Sequence, residues 1–162
     1  MDKIQSIRAA LAAAVPDLAT NPDRLLVFVD KGSIAATAVP GLSFRYAYTL
    51  NLILTDYAGS PDIVIVAVLQ WLSINQIDTL MHPERNKSAI TFDVDVISNK
   101  QVDLALTLQL TESVGVSARL GGGFNMVHHP EPDFGQRADF PSRMEIYVNG
   151  EIVSIIGDID GG

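Results

Sequence analysis

The segment Leu42–Gly59, LSFRYAYTLNLILTDYAG, decides the fold class of this chain. Large apolar residues occupy every second position, and small or polar residues fill most of the gaps. Such strict alternation places the two sets on opposite faces of a β-strand. The apolar set is Phe44, Tyr46, Tyr48, Leu50, Leu52 and Leu54, and the other set is Ser43, Arg45, Ala47, Thr49, Asn51 and Thr55. We therefore predict a long strand over Phe44–Thr55 with one core face and one face that meets water or a second subunit.

The composition indicates one globular domain over residues 1–162, because 48% of the residues are hydrophobic and only 19% are charged. A formal charge of -8 argues against a protein that coats nucleic acid, although DNA can pass nearby without binding. The absence of cysteine excludes disulfides and thiolate zinc sites, and predicts an intracellular protein. We find no transmembrane run and no signal peptide.

Two principal helices are predicted. Residues 2–15 place Ile4, Ile7, Leu11 and Ala14 on one narrow apolar stripe. The second helix opens at Ser60-Pro61, where serine suits the N-cap and proline the first turn, and it runs through Ile74. This second helix is apolar on most sides, so it needs cover from the sheet and from the N-terminal helix or a neighbouring subunit.

The other segments predict short strands and loops. We expect strands at Leu25–Val29 and Ser33–Ala38, joined by a turn at Asp30-Lys31-Gly32. A second hairpin is expected from Ile90–Val96 and Val102–Leu110, joined at Ser98–Gln101, with a continuation over Val114–Leu120 after a break at Gly115. A third is expected from Met144–Val148 and Glu151–Ile156, around Asn149-Gly150. The expected irregular segments are a polar loop at Met81–Ser88, a long loop at 121–142 and a flexible tail at 157–162. The sum is an α+β fold with a mainly antiparallel sheet and two principal helices packed on it.

Three aspartates are the first candidates for chemistry. Asp93 and Asp95 lie two residues apart on one strand face, and Asp103 follows just beyond the next turn. Paired carboxylates can begin a divalent-metal site. A solvated polar face and an acidic patch facing a pore are the two other interpretations, and the sequence leaves all three open.

Other patterns typical of active sites are incomplete. His128 and His129 are adjacent in a proline-rich loop, which is not the spacing of metal ligands on one helix face, and His82 is interpreted as a loop residue. The segment 158–161 lacks the later ligands of a calcium loop, and no lysine follows the glycines at 121–123. No nucleophile elbow is present. We therefore predict no catalytic residue, metal site or cofactor, and a protein that is not an enzyme.

The two faces of the long strand predict different roles. Its aromatic residues alternate with leucines, so we assign them, with Trp71, to the core and not to a platform for stacking bases. Arg45 on the polar face is a candidate for an ion pair between subunits, and its alternative is an ordinary exposed arginine. The candidates for subunit contact or for facing a channel are Arg45, Thr49, Asn51, Asp93, Asp95 and Asp103.

Several runs resemble the tail completion protein R family of contractile-tailed temperate phages. The matching runs are Val15-Pro16-Asp17-Leu18, Thr20-Asn21-Pro22-Asp23-Arg24-Leu25, Phe28-Val29-Asp30-Lys31-Gly32, Leu42-Ser43-Phe44, Tyr46, Tyr48-Thr49-Leu50-Asn51-Leu52-Ile53, Thr55-Asp56-Tyr57-Ala58-Gly59, Trp71-Leu72, Asn75-Gln76 and Leu108-Gln109-Leu110-Thr111-Glu112. They cover most of residues 11–114, and the run from Tyr48 to Gly59 is the most specific.

The resemblance implies a structural protein that caps the head-proximal end of the finished tail tube and sheath and prepares it for head joining. It implies a small tail-terminator-like subunit in a homo-oligomeric, six-fold ring, with tube, sheath and head–tail connector proteins as partners. DNA would pass through the channel without specific binding. The expected location is the neck of the virion tail, after assembly in the host cytoplasm and without a membrane. Two alternatives stay open: another neck or connector adaptor, and a metal-dependent hydrolase that uses the aspartates, with His128 or His129.

Overall fold

The computed structural model describes residues 1–36, 41–98, 101–132 and 143–157. The described helices are α1 Asp2–Ala14, α2 Pro16–Thr20, α3 Pro61–Asn75, α4 Ile77–Met81 and α5 Pro83–Ala89, with a short 3-10 turn at Pro22–Arg24. The strands are β1 Leu25–Ala36, β2 Phe44–Tyr57, β3 Ile90–Ser98, β4 Gln101–Ala118, β5 Phe124–His129, β6 Arg143–Val148 and β7 Glu151–Gly157. Among the helices described here, none is long and apolar enough to span a bilayer.

All strand pairings among these elements are antiparallel. The main sheet has the order β1-β2-β4-β3, and β6 pairs with β7 in a separate two-stranded sheet. Strand β5 pairs with the last part of β4, on the edge of β4 that lies opposite β2. Strands β3 and β5 therefore follow one another along the same edge of β4. The predicted α+β class with a mainly antiparallel sheet is confirmed, although the described part has five helices and not only the two principal ones.

The core lies between the main sheet and the pair formed by α1 and α3. The predicted alternation of β2 is confirmed, because Tyr48, Leu50, Leu52 and Leu54 are buried. Their neighbours on β4, Leu104–Leu110, bury every second side chain against the same helices. Phe44 and Tyr46 at the start of β2 are only half-buried, and their rings meet edge to face at 4.9 Å. On the aromatic face of β2, Tyr48 therefore belongs to the core, whereas Phe44 and Tyr46 lie at its margin.

Helix α3 begins and is covered as the sequence predicts. The Ser60 hydroxyl accepts a hydrogen bond from the Asp62 N–H at 3.3 Å, which satisfies one of the free donors of the first turn. Trp71 Nε1 donates to the Ser6 hydroxyl at 2.9 Å and ties α3 to α1. Helix α1 therefore covers one side of the apolar α3, whereas Val66, Leu69 and Ile74 of α3 are exposed.

The predicted turn at Asp30-Lys31-Gly32 is wrong, since β1 continues through it as one strand. The register against β2 shifts between Val29 and Lys31, so Asp30 forms a β-bulge. Gly32 pairs with Tyr48, where an added Cβ would lie 3.4 Å from the Tyr48 Cβ. Asp30, Lys31 and Gly32 therefore form an irregular part of β1 that packs closely against the long strand β2. The end of the expected Ser33–Ala38 strand, beyond Ala36, lies outside the described residues.

Two predicted loops also contain regular structure. Met81–Ser88 is helical for most of its length, because Pro83 begins α5 in the position where a missing N–H costs nothing. Within 121–142, Phe124–His129 forms β5, and 133–142 lies outside the described residues. Strand β4 has no break at Gly115, where the missing side chain makes room for the His129 ring. Of the expected flexible tail, only Gly157 is described, as the end of β7.

The final hairpin is confirmed. Residues Asn149 and Gly150 join β6 and β7 with φ values of 53° and 87°, which are the left-handed values that a type I′ turn requires at both central positions. The Ser154 hydroxyl of β7 donates to the Ala14 carbonyl at 2.6 Å, so this hairpin is attached to the end of α1. The hairpin therefore lies on the helical side of the main sheet.

Candidate functional site

The six residues predicted to contact subunits or face a channel all lie on the face of the main sheet opposite the core. Residues that pair directly across antiparallel strands share a face. The register pairs Arg45 with Ser113, Thr49 with Gln109, Asn51 with Thr107, Asp93 with Ala105, and Asp95 with Asp103. These positions alternate with the buried leucines of β2 and β4. We call this surface the polar face.

Cross-strand hydrogen bonds hold the middle of the polar face. Arg45 Nε donates to the Ser113 hydroxyl at 3.3 Å, the Thr49 hydroxyl donates to Gln109 Oε1 at 3.1 Å, and Asn51 Oδ1 accepts from the Thr107 hydroxyl at 3.0 Å. Arg45 remains exposed despite this bond, so its guanidinium retains donors for another molecule.

The three aspartates gather at the end of the polar face away from Arg45. Asp93 and Asp95 are exposed, whereas Asp103 is half-buried and its Oδ1 accepts the Asp56 N–H at 2.8 Å. Asp56 has a φ of 51°, so Asp103 fixes a left-handed backbone position at the end of β2. Among the residues that the structure describes, no group of three or more His, Cys, Asp or Glu side chains is arranged to hold a metal.

A groove of about 600 Å³ borders the other end of the polar face. Lys31 and Arg45 line it from the sheet, and Asp78 and Arg85 line it from α4 and α5. Arg85 pairs with Asp78 at 3.2 Å. The polar face is therefore basic near Arg45 and acidic near Asp95. Between the two ends lie threonine, asparagine and glutamine side chains, with the exposed Leu26 and Phe28 of β1 beside them.

A buried carboxylate, which the sequence interpretation missed, lies on the core side of the same sheet. Glu112 is 5% exposed, and it accepts hydrogen bonds from the Tyr48 hydroxyl, from the Asp2 N–H at 2.9 Å and from His128 Nδ1 at 3.2 Å. Burial acts to raise the pKa of Glu112, but these hydrogen bonds and the nearby terminal ammonium outweigh it and lower the pKa. Burial, then the bond to Glu112, raises the pKa of Tyr48.

Lys3 and Gln76 extend this network to the edge of β4 between β3 and β5. Lys3 Nζ donates to Gln76 Oε1 at 2.9 Å, to the Thr111 carbonyl at 2.8 Å and to Glu131 Oε1 at 2.6 Å. Gln76 Oε1 also accepts the Thr111 N–H at 3.0 Å. A side chain from the end of α3 thus replaces the missing strand at this point of the sheet edge.

One sequence signal pointed to this network. Glu112 continues the alternation of Leu104, Leu106, Leu108 and Leu110, so the pattern assigns a charged residue to the core face. Such a residue must be paired, because an unpaired buried charge is too costly. The network joins α1, the end of α3, β4 and β5, and its groups are occupied with one another. We interpret it as structural.

Two apolar surfaces on the core side of the sheet are uncovered. The first consists of Phe92, Val94 and Val96, and we call it the β3 row. These residues pair with Leu106, Leu104 and Val102 of β4. Phe92 is 62% exposed and Val96 is 74% exposed. The second is a hairpin formed by the end of β4 and by β5, residues 114–129, which we call the arm. Its Phe124 and Met126 are 59% and 70% exposed.

Comparison with known proteins identifies the family. The family model of the P2 phage tail completion protein R matches residues 1–132. The tail completion protein R of Escherichia phage P2 is 44% identical over 154 residues, which cover 95% of this chain and 97% of that relative. The chain belongs to the P2 phage tail completion protein R family. No solved structure matches it.

Membership in the tail completion protein R family confirms the resemblance found in residues 11–114 and extends it. The family model continues through β5 and the arm to residue 132. This part of the chain lies beyond residues 11–114, where the resemblance was found. The chain is therefore a phage tail completion protein and a component of the virion tail. The arm, the polar face and the Glu112 network all lie within the matched region, whereas the β6–β7 hairpin lies beyond it.

Proposed function

We propose that this protein caps the head-proximal end of the tail tube and sheath as a ring of identical subunits, and that the capped end then joins the head. The observation that supports a ring is the pair of uncovered apolar surfaces, the β3 row and the arm. Exposed apolar patches of this kind mark protein contacts. A head-to-tail ring requires two different patches on each subunit, which is what this chain offers.

The polar face supports the second half of the proposal, a channel that DNA crosses without binding. The face carries three aspartates at one end, uncharged side chains in its middle and Lys31 and Arg45 at the other end, within a chain of net charge -8. Like charges repel the phosphate backbone. In the ring that we propose, the polar face lines the channel and the helices lie outside. The protein acts there as a structural component and not as an enzyme.

A neck or connector adaptor of similar size is the nearest alternative, because small rings can occupy both positions and fold alone does not separate them. The hydrolase alternative has less support, since Asp103 is occupied by the Asp56 N–H and the histidines lie on other strands than the aspartates. His128 is bonded to Glu112, and His129 packs over Gly115.

Electron microscopy of tails from a phage that lacks this gene tests the proposal. We expect tails of irregular or excessive length that fail to join heads. Supplying the wild-type gene in trans restores joined particles. Normal tails joined to normal heads in the deletion would refute the capping role. Tails of normal length and normal cap, with defects only on the head side, would favour the adaptor.

A further inference from the structure

The groove at the basic end of the polar face carries a charge opposite to that of the whole chain. It has a volume of about 600 Å³ and lies between the sheet strands β1, β2 and β4 and the short helices α4 and α5. Its charged lining residues are Lys31, Arg45, Arg85 and Asp78. Asp30, which precedes Lys31 in the bulge of β1, is outside this lining. Three cations and one carboxylate give the groove a net charge of +2, whereas the whole chain carries -8.

The cations of the groove keep donors for another molecule. Arg45 uses Nε on the Ser113 hydroxyl at 3.3 Å, and Arg85 uses one terminal nitrogen on Asp78 at 3.2 Å. Among the residues that the structure describes, no carboxylate forms an ion pair with Lys31 or Arg45. Because a guanidinium carries several N–H donors and an ammonium carries more than one, the groove can bind an anion without breaking a contact of the fold.

The sheet wall of the groove spaces its donors along the strand direction. Lys31 pairs with Thr49, and Arg45 is four residues before Thr49 on β2, so the two cations are about 13 Å apart along the sheet. Ser33 pairs with Ala47 and lies between them on the same face, where it is exposed. Lysine, arginine and serine are common donors to phosphate oxygens. Since each DNA strand carries one charge about every 3.4 Å of helix axis, the two cations can contact different phosphates of one strand.

The two ends of the polar face act on a polyanion in opposite ways. At the acidic end, Asp103 bonds to the N–H of Asp56, which is eleven residues beyond Arg45 on β2. This separation is about 36 Å, close to one turn of the double helix. A DNA duplex beside the polar face therefore meets attractive charge at the groove and repulsive charge at the aspartates.

We infer that the groove contacts the phosphate backbone of the DNA in the channel, through Lys31, Arg45 and Arg85. The contact is with the backbone and not with the bases, so no sequence is read. Exposed charges hold a polyanion weakly and in a manner that salt screens, so DNA at rest is retained while moving DNA still crosses. This inference rests on the proposed position of the polar face in the channel and specifies where on that face DNA touches the subunit.

Tethered cleavage of DNA inside assembled particles tests the contact. The chain contains no cysteine, so Ser33→Cys provides a single attachment point for an iron chelate that generates hydroxyl radicals. The purified, labelled variant completes the tails of a deletion phage in an extract, and infectious particles are isolated. We expect cuts clustered at one place in the packaged DNA. The matched control is Ile34→Cys, which is 67% exposed but pairs with Tyr46 on the opposite face, and we expect its cuts to be lost.

Salt dependence tests whether phosphates are what the groove binds. Fluorescence anisotropy measures binding of a short labelled duplex to the purified full-length chain between about 50 and 200 mM salt. The slope of the logarithm of the binding constant against the logarithm of salt concentration should become shallower by about one for Arg45→Gln and by about one for Lys31→Gln. Arg8→Gln makes the same change of charge at an exposed position of α1 and should leave the slope unchanged. Duplexes of different sequence should bind equally, and circular dichroism checks that each variant folds.

The possible outcomes separate the DNA contact from the capping role. Infectious particles that carry the chelate at residue 33 and show no cuts would overturn the contact and leave the capping role intact. Equal slopes for Arg45→Gln and wild type, or no binding of wild type at low salt, would overturn the phosphate contact. Displacement of the duplex by inorganic phosphate at constant ionic strength would favour a site for a free anion, and a cross-link from Ser33→Cys to another tail protein would place a polypeptide in the groove; either result overturns the inference. Normal joined particles from the deletion itself would overturn the capping role.

Discussion

Glu112 shows how one residue connects distant parts of this chain. Its carboxylate is buried, but it accepts from the Tyr48 hydroxyl of β2, from the backbone of α1 and from His128 of β5. A buried charge with several donors is tolerated because the donors replace water. Since His128 lies in β5, Glu112 ties β5 to α1 and β2.

Replacing Glu112 by glutamine should destabilise the protein at neutral pH and remove part of its pH dependence. The pKa of Glu112 is lowered in the folded state, so its stabilisation is present above the unfolded-state pKa of about 4.3 and is lost as the pH falls through the lower folded-state value. We expect Glu112→Gln to cost about 1–3 kcal/mol at pH 7. Urea unfolding between pH 7 and pH 3 should show the two proteins converging in stability at acid pH. A constant difference would contradict this assignment.

A second prediction concerns Gln76, which occupies a gap in the edge of β4. Gln76→Leu keeps the volume but leaves the Thr111 N–H without its acceptor and removes one acceptor from Lys3. A buried donor left unpaired costs about 1–3 kcal/mol. Urea unfolding should detect this loss, whereas Gln5→Leu at an exposed position of α1 should change stability little. Equal stability of the two variants would show that water replaces the Gln76 contacts.

At the scale of elements, the sequence predicted what depends on local pattern. The alternation of β2, the N-cap at Ser60 and the turn at Asn149-Gly150 are all confirmed, because each is determined by residues within a few positions. The bulge at Asp30 was predicted as a turn, since only pairing with a long β2 keeps those residues extended. Strand β5 was missed for the same reason: its ladder with β4 and the His128 bond to Glu112 are non-local.

The N-cap of α3 gives a prediction for one element. Ser60→Ala removes the acceptor of the Asp62 N–H, which should lower stability by about 1 kcal/mol. Ser60→Asp is the matched control, because aspartate is an equally good cap and its charge is favourable at a helix N-terminus. Thermal unfolding should rank wild type and Ser60→Asp together above Ser60→Ala. Equal melting of all three would mean that Pro61 and the packing of α3 determine where the helix begins.

The whole molecule is a long sheet with a short helical cover. Helices α1 and α3 cover the middle of one side of the sheet. On that side, β3 and the arm remain exposed, and the polar face is on the other side of the sheet. A monomer seldom exposes this much apolar strand surface. In the ring that we propose, neighbouring subunits cover these regions, and the acidic end of the polar face stays open to the channel.

The charge of the polar face should affect the speed of DNA ejection if this face lines the channel. Asp93→Lys with Asp95→Lys converts two exposed repulsive charges into attractive ones, which should slow ejection from purified particles at low salt. The effect should shrink near 1 M salt, where the Debye length is about 3 Å. The control is Asp62→Lys, an exposed position at the start of α3 on the helical side. Ejection can be followed by dye binding to released DNA after triggering. An attraction between DNA and lysines inside the channel should depend both on where the lysines are placed and on the salt concentration. Equal slowing by Asp62→Lys, or slowing that persists at high salt, would therefore show that the polar face does not meet DNA.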